Sequence, residues 1–468
     1  MNPGKGHVHS RRHAFSFFNA RDHEGLTVFS RRGMLKASLA GIAGLTLPEL
    51  LRARGQAATA GRAMGGHKSV ILLWMAGGPS HIDTWDVKPE APLEIRGPFK
   101  DIPTKLPGVH ICEHLPKQAA LMDKLTLIRS VDARHSNHEP NQVIQTASLE
   151  AEPRLNPRGV LYPAIGSVVA RWHGPNHRAM PPYVALNMRS RSHLAWGGYL
   201  GKQYDPFVGN NVAKLFQLPG GLTLERLRTR KTLAQQMDQL RSDVDQSGMM
   251  EAMDRFGQQA YDLIAGERAQ TAFDLSKEPA RMLDRYGSHD WCRQALLARR
   301  LVEAGVSFVT LDLSNHSGSG TWDTHGDNIP PYGGIMNGLR PLLPVFDHLL
   351  TTLVSDLEER GLLNEVLVIA MGEFGRTPQI GTQGSTDGRN HWPVVMSMVM
   401  AGGGFRHGQV IGATERDGGQ IKERPVTPGD LAATIYHHMG VPLDATYPDH
   451  QGRPRYIVEN GRPIHELI

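Results

Sequence analysis

Runs of β-branched and aliphatic residues recur along the chain, and polar loops follow them. The run from Val366 to Ala370 is unbroken, which is typical of a strand buried on both faces of a parallel sheet. Upstream, residues 343–360 have the apolar spacing of an amphipathic helix, and Gly361 ends it. Glu373 follows the strand, at the position where open α/β sheets bind ligands. An ordinary αβ unit with a solvated glutamate is the alternative.

The same alternation continues over most of the chain. Apolar runs predict further strands at 70–75, 125–128, 306–311 and 394–400, and helical spacing predicts helices at 291–304 and from Pro428 onwards. Residues 222–272 are charged and helical in period, so we expect a helical cap or insertion around 190–285. The pattern predicts an α/β fold with a mostly parallel central sheet flanked by helices.

The first 60 residues resemble an export signal. Arg31 and Arg32 form a twin-arginine pattern, residues 37–47 are apolar, and Ala58-Thr59-Ala60 offers a cleavage site. We therefore expect a Tat signal peptide and leader over 1–60, a domain over 61–468, and a periplasmic or extracellular location. An unrelated basic amphipathic N-terminus is the alternative. The apolar run is too short for a stable membrane span.

Charge argues against a nucleic-acid partner. The formal net charge is +5, but 9 of the 51 basic residues and 3 of the 46 acidic residues fall within residues 1–60. The remainder is close to neutral, so no phosphate-tracking surface is expected there. The two cysteines, Cys112 and Cys292, form no CxxC pair. A thiolate zinc knuckle is therefore excluded, whereas a single disulfide is left open.

Three loops carry acids and histidines that suit metal ligation. The loop after the first predicted strand holds His81, Asp83 and Asp86, although a polar helix cap would use the same residues. The other two loops follow later strands, and they contain Asp323, His325 and Asp327, and then His391. Carboxylate and imidazole donors that converge from strand ends are what hard and borderline divalent ions require.

The loop after the strand at 125–128 contains His135, Ser136 and His138. A serine beside histidines is compatible with a nucleophile and its base. A substrate-binding loop and a plain helix N-cap are equally compatible with these residues, and nothing in the pattern singles out Ser136 over the two histidines.

Four motifs together resemble the DUF1501 family of Tat-exported, sulfatase-like bacterial proteins. They are Gly77-Gly-Pro-Ser-His-Ile-Asp-Thr-Trp-Asp, Trp322-Asp-Thr-His, Gly372-Glu-Phe-Gly-Arg-Thr-Pro and Gly388-Arg-Asn-His-Trp-Pro. The resemblance covers roughly residues 68–454. More distantly, the family is similar to the alkaline phosphatase and sulfatase superfamily, which implies an alkaline phosphatase-like fold.

The resemblance also implies a set of metal ligands, namely Asp83, Asp323, His325, Glu373 and His391. Asp327 is an alternative to Asp323, because the superfamily spaces its Asp/His pair differently. Two departures matter. Phe374 stands where the superfamily has a metal-binding histidine, and no Cys-x-Pro-x-Arg motif is present, so a formylglycine nucleophile is not supported.

The resulting hypothesis is an exported, metal-dependent hydrolase of phosphate or sulfate esters. It would use zinc, calcium, magnesium or manganese and act on a small-molecule or polysaccharide anionic ester. Ser136 and His138 are the candidate catalytic residues, and Arg376 or Arg389 would hold the anion by bidentate hydrogen bonds. The alternative is a catalytically inactive binding protein with the same fold, acting in an extracytoplasmic complex.

Overall fold

The computed structural model describes residues 67–138, 142–188, 195–209, 267–315 and 321–468. Its centre is an eight-stranded sheet with the strand order β12-β4-β11-β8-β1-β7-β5-β6. The strands of this sheet are β1 Ser69–Trp74, β4 Leu125–Val131, β5 Tyr183–Leu186, β6 Phe207–Val208, β7 Phe308–Asp312, β8 Val366–Met371, β11 Met396–Gly402 and β12 Gln409–Ile411. Four two-stranded ribbons contain β2 Asp101–Pro103 with β3 His110–Cys112, β9 Gly375–Arg376 with β10 His391–Trp392, β13 Ala413–Thr414 with β14 Ile421–Glu423, and β15 Thr446–Pro448 with β16 Pro454–Tyr456.

The central sheet is parallel except for one strand. β11 runs antiparallel to both of its neighbours, β4 and β8, and every other adjacent pair in the sheet is parallel. In register, Val70 lies opposite Phe308 on one side and Leu367 on the other. The predicted α/β fold with a mostly parallel sheet is confirmed, and the predicted apolar runs coincide with sheet strands to within a few residues.

Helices cover both faces of the sheet. They are α1 Leu93–Arg96, α2 Pro116–Ala120, α3 Gln142–Thr146, α4 Ile165–Trp172, α5 Glu267–Phe273, α6 Ala280–Tyr286, α7 Asp290–Ala304, α8 Arg340–Glu359 and α9 Pro428–Met439. Short 3₁₀ turns lie at Met122–Lys124, Leu149–Ala151, Gly159–Leu161, Gly198–Leu200, Lys202–Tyr204 and Leu275–Lys277, and a π-turn at Ile335–Leu339 precedes α8.

β8 shows why the sheet needs helices on both sides. All six of its residues are buried. Val366 and Val368 pack with the residues of α7 and α8, whereas Leu367 and Ile369 pack with those of α4 and α9. Successive side chains of a strand point to opposite faces, so an unbroken apolar run requires two apolar layers.

Helix termini follow the sequence signals. Gly361 adopts a φ of +69° just after α8, a conformation that glycine adopts at little cost. At the start of α9, Thr427 and Asp430 form a reciprocal capping box, which satisfies two backbone donors at the helix N-terminus. These two ends fix the helices that flank β8 on opposite faces of the sheet.

Four expectations from the sequence concern the signal peptide, the cap, the two cysteines and a membrane span. The Tat signal over 1–60 and most of the predicted cap at 190–285 lie outside the described residues. Cys112 and Cys292 are buried and unpaired. Within the described ranges, no helix combines the length and apolarity needed to cross a membrane.

Candidate metal centre

Four side chains from three separate loops converge at the carboxyl edge of the sheet. His138 follows β4, Asp323 and His325 follow β7, and His391 begins β10, just before the antiparallel β11. Their potential ligand atoms all lie within 4.8 Å of one another. We call these four residues the histidine cluster. Because β4, β7 and β8 are mutually parallel, their following loops meet at one edge, which explains how distant sequence motifs come together.

The ribbon of β9 and β10 brings His391 into this cluster. His391 lies opposite Arg376 in the ribbon register. Close backbone approach is also needed, since a Cβ on Gly388 would lie 1.7 Å from the carbonyl oxygen of His325. Gly77, with a φ of +116°, likewise leaves no room for a Cβ beside the backbone of Asp323. The glycines of two of the sequence motifs are therefore required by packing.

His138 is at the centre of the cluster. Its Nδ1 lies 2.7 Å from Oε1 of Glu373, and its Nε2 lies 2.8 Å from Nε2 of His391. The same Nε2 is 3.2 Å from Oδ2 of Asp323. Nε2 of His325 is 3.0 Å from Oδ1 of Asp323. The loop thus places His138, which the sequence suggested as a catalytic base, among the metal-ligand candidates.

The local charges set the protonation of the metal-free cluster. Burial opposes a charge on His138, but the carboxylates of Asp323 and Glu373 outweigh it and raise the pKa to about 9. Burial lowers the pKa of His391 to about 4. His138 is therefore the imidazolium that donates to the neutral ring of His391. Burial also opposes the charge on Asp323, but Arg376 and the neighbouring imidazoles hold the pKa of this carboxyl well below its usual range.

Two buried carboxylate oxygens are left over. Oδ2 of Asp323 and Oε2 of Glu373 accept no hydrogen bond from the described residues. Buried acceptors are normally satisfied, yet Oε2 of Glu373 has no partner among the described residues, and Oδ2 of Asp323 has only the ring of His138 beside it, at 3.2 Å. The carboxylates therefore have acceptor capacity that a cation could use. Three imidazoles with one carboxylate match the ligands that Zn²⁺ takes in proteins. The residues present therefore fit a divalent ion that prefers nitrogen donors.

Glu373 lies beside the cluster as a partner of His138. Its Oε1 accepts hydrogen bonds from His138 and from the backbone N–H of Gly77, 2.8 Å away. This arrangement matches the carboxylate–histidine pairs that orient metal-bound imidazoles. The sequence placed Glu373 among the direct ligands, whereas the structure brings it to the outer side of His138.

Asp83 is not part of the cluster. Both of its oxygens face the guanidinium of Arg389, at 2.6 and 3.1 Å, and the hydroxyl of Ser80 donates to Oδ2 at 2.6 Å. A carboxylate that is already saturated by a bidentate arginine has little left to offer a metal ion. In this structure Asp83 therefore serves as the counterion of Arg389, and not as the metal ligand that the sequence suggested.

The two arginines predicted to hold an anion are fully buried. Arg376 donates to Asp323 and to the carbonyl oxygens of Gly77, Gly78 and Arg389. Arg389 donates to Asp83 and to the carbonyl oxygens of Ile95, Thr377 and Pro378. Their donors are committed to internal partners, so both arginines fix the site from within and do not present a guanidinium to a ligand.

Phe374 forms one wall of the histidine cluster. Its ring centroid lies 4.8 Å from those of His138 and of His391. The chain has no imidazole at this position, and His138 from the β4 loop contributes one to the cluster. Ser136, two residues before His138, is 5 % exposed, and its hydroxyl has no hydrogen-bond partner among the described residues. The serine-histidine pair that the sequence allowed is therefore not formed, because both ring nitrogens of His138 face Glu373 and His391.

Asp327 and the remaining loop residues also lie apart from the cluster. Asp327 accepts hydrogen bonds from the hydroxyls of Ser385 and Thr386 and from the backbone of Thr386. Those bonds lower its pKa to about 2. Asp86 binds Lys88 and Thr414, and His81 binds the backbone of Gly418. These acids and this histidine thus hold loops in place.

His138 and His391 enter the cluster through the same local arrangement. Each histidine follows an asparagine, and in both cases the asparagine Oδ1 accepts the backbone N–H of the histidine, at 2.8 Å for His138 and 2.7 Å for His391. This local bond holds each histidine backbone in a turn as it enters the cluster. Because Asn-His also occurs at 176–177 and 315–316, the dipeptide does not single out these two histidines, and the sequence carries no specific signal that pairs them.

A family model described as "Protein of unknown function (DUF1501)" matches residues 67–468. The chain belongs to the DUF1501 family. This membership confirms the resemblance carried by the four sequence motifs. No curated protein matches the DUF1501 chain significantly.

Solved structures show distant similarity to this DUF1501 protein. The PsFucS1 sulfatase from Pseudoalteromonas sp. is 13 % identical with a TM-score of 0.36, covering 84 % of this chain and 70 % of its own. The phosphonate monoester hydrolase SpPMH from Silicibacter pomeroyi is 11 % identical with a TM-score of 0.34, covering 85 % and 75 %. A zinc complex of the periplasmic domain of EcEptC from Escherichia coli is 11 % identical with a TM-score of 0.32, covering 72 % and 73 %. At these scores the similarity carries no information about the chemistry of this chain.

Proposed function

We propose that this DUF1501 protein is an exported, metal-dependent hydrolase of phosphate or sulfate esters. The observation that carries the proposal is the convergence of His138, Asp323, His325 and His391 within 4.8 Å at the carboxyl edge of the sheet. A structural core has no need for three imidazoles around a buried carboxylate at a ligand-binding edge. The twin-arginine pattern of Arg31 and Arg32 supports export.

The donor set narrows the choice of metal. Calcium and magnesium take oxygen ligands almost exclusively, whereas this cluster offers three imidazole nitrogens and one carboxylate. Zinc is therefore favoured among the four ions that the sequence suggested. A bound divalent ion would polarise the ester and help to deprotonate a nucleophile.

The chain's own residues prepare the site for that chemistry. Glu373 holds His138 through Nδ1, and Arg376 holds Asp323 through Oδ1, so both side chains have fixed orientations. Ser136 supplies a buried hydroxyl on the loop that carries His138, and we assign it as the nucleophile. His391, with 32 % of its side chain exposed, is the cluster member that solvent reaches most. Hydrolysis would cleave the ester with water and release an alcohol and the inorganic anion.

Elemental mass spectrometry of protein purified without a chelating column tests the metal site. We expect about one equivalent of divalent metal, and a loss of affinity of more than about 100-fold in His391→Ala, because a removed ligand should cost more than a removed outer partner. His437→Ala, which changes an exposed histidine on α9, is the matched control. A well-folded wild type that binds no added zinc would overturn the proposal. If zinc binds, a panel of phosphate and sulfate esters follows with the zinc-loaded protein.

The second candidate is a binding protein that keeps the fold and the metal but has lost the chemistry. The burial of Arg376 and Arg389 favours it, since neither guanidinium is free to hold a substrate anion. The ester panel separates the two functions. Turnover that disappears in Ser136→Ala, with zinc still bound, supports the hydrolase, whereas full zinc occupancy without turnover of any ester leaves the binding protein. Export is checked by locating an Arg31→Lys, Arg32→Lys variant beside the wild type.

A further inference from the structure

A glutamine outside the histidine cluster contacts the free side of His325. Nδ1 of His325 lies 2.7 Å from Oε1 of Gln383, while Nε2 of the same ring lies 3.0 Å from Oδ1 of Asp323. Both ring nitrogens are thus engaged, one toward the cluster and one away from it. Neither the sequence motifs nor the proposed reaction assigns a role to Gln383.

The backbone of Gln383 is held firmly, although its side chain is exposed. Its carbonyl oxygen accepts a hydrogen bond from Nδ2 of Asn328 at 2.5 Å. The turn that carries it is closed by a bond from the N–H of Gly381 to the carbonyl oxygen of Gly388, 2.9 Å long. Asp327 anchors the far side of this turn. We call residues 381–388 the glutamine turn.

We propose that Gln383 is a positioning residue that sets the tautomer and ring orientation of His325 for metal binding. The amide oxygen only accepts, so it selects the imidazole form that carries its proton on Nδ1. With the proton on Nδ1, Nε2 is the nitrogen that would offer its lone pair to a bound ion, in place of its present contact with Asp323. This inference rests on the proposed function, because it assigns His325 as a metal ligand.

The opposite tautomer would defeat the site. With the proton on Nε2, His325 could donate to Asp323 but could not bind a cation there. Outer partners of metal-bound histidines commonly prevent this by accepting the Nδ1 proton. Gln383 is the described side chain that does so for His325, as Glu373 is for His138.

Three variants test the proposal through Zn²⁺ affinity, measured by competition with a chromophoric chelator. Gln383→Leu removes the acceptor and should weaken binding about 10- to 100-fold. Gln383→Glu restores an acceptor and should bind at least as tightly as the wild type. The control is Gln379→Leu, which changes an exposed glutamine whose side chain makes no hydrogen bond with other described residues. It should leave the Zn²⁺ affinity unchanged. Equal affinity in Gln383→Leu and wild type would overturn the proposal.

A second measurement does not depend on metal. Nitrogen-15 NMR of the histidine rings in the metal-free wild type should show a proton on Nδ1 of His325 that exchanges slowly, and Gln383→Leu should lose this protection. A wild type whose Nδ1 carries no proton overturns the positioning role. If the wild type binds no zinc but keeps the protected Nδ1 proton, the proposed function fails while the orientation of His325 by Gln383 stands.

Discussion

Asp323 and Asp83 have similar positions, burial and arginine neighbours, but they have different roles. Each follows a strand at the carboxyl edge of the sheet, each is 1 % exposed, and each faces a fully buried arginine. Asp83 gives both oxygens to Arg389. Asp323 gives only Oδ1 to Arg376, and Oδ1 and Oδ2 lie 3.0 and 3.2 Å from the imidazoles of His325 and His138.

The contrast teaches that the neighbours of a buried acid decide whether it can bind a metal ion. Arginine is always charged and has no lone pair, so a bidentate arginine closes the site to a cation. Imidazole can give up its proton and offer a lone pair, so the same acid beside histidines stays open. Asp83 with Arg389 is a structural ion pair, and Asp323 with its imidazoles is a candidate centre.

Breaking the structural pair should give the largest effect on the fold. In Asp83→Ala the guanidinium of Arg389 stays buried without its counterion, so the free energy of unfolding should fall by about 3–5 kcal/mol. Urea unfolding of the metal-free protein measures this change. Zinc bound per folded molecule should equal that of the wild type.

The double variant Asp83→Ala, Arg389→Met sharpens this prediction. Removing both charges avoids the uncompensated guanidinium, so much of the lost stability should return. An Asp83→Ala protein that keeps its stability but loses its zinc would contradict the comparison and return Asp83 to the metal site.

The pair formed by His138 and His391 should respond to pH through the proton of His138. In the metal-free state the pKa of His138 is raised to about 9, whereas that of His391 is lowered to about 4. Between pH 6 and 8 only His138 of this pair must lose a proton to bind zinc. The proton of His138 should therefore contribute a rise of about tenfold per pH unit to the apparent zinc affinity over this range. An affinity that stays constant from pH 6 to 8 would show that His138 is not a ligand.

The same raised pKa has the opposite effect on the stability of the metal-free fold. A group that binds its proton more tightly when folded stabilises the protein fully below the unfolded pKa, near 6.5, and this contribution is lost as the pH rises through about 9. Metal-free protein should thus lose stability from pH 7 to 9 while zinc binding improves. Thermal unfolding at three pH values between 7 and 9 measures both trends: the melting temperature without zinc should fall, and the increase that zinc produces should grow.

The sequence predicted the sheet well, because strands buried on both faces need unbroken apolar runs. The run at 366–370 became β8, Val366–Met371, and the helix expected at 343–360 became α8, Arg340–Glu359. The family resemblance implied that Asp323, His325 and His391 are ligands of one site, and the structure brings these three together. The local pattern of apolar residues is enough to predict strands and helices.

Pairings between distant residues could not be predicted in the same way. Asp83 and Arg389 are 306 positions apart, and nothing near either residue indicates that it will meet the other. The partners of Asp327, Ser385 and Thr386, are likewise distant in sequence and meet it only in the folded chain. For this reason the sequence counted Asp83 and Asp327 with the metal ligands, although the structure gives both of them other partners.

The smallest effect we expect concerns Asp327, an exposed acid that holds the glutamine turn through Ser385 and Thr386. Asp327→Ala should lower zinc affinity by less than about tenfold, because it loosens only the support of Gln383 and removes no contact to the cluster. Asp327→Asn keeps one acceptor oxygen and should fall between this variant and the wild type. Asp327→Ala combined with Gln383→Leu should be no weaker than Gln383→Leu alone, since both act through one hydrogen bond. A loss in Asp327→Ala as large as that in His391→Ala would mean that Asp327 binds the metal itself.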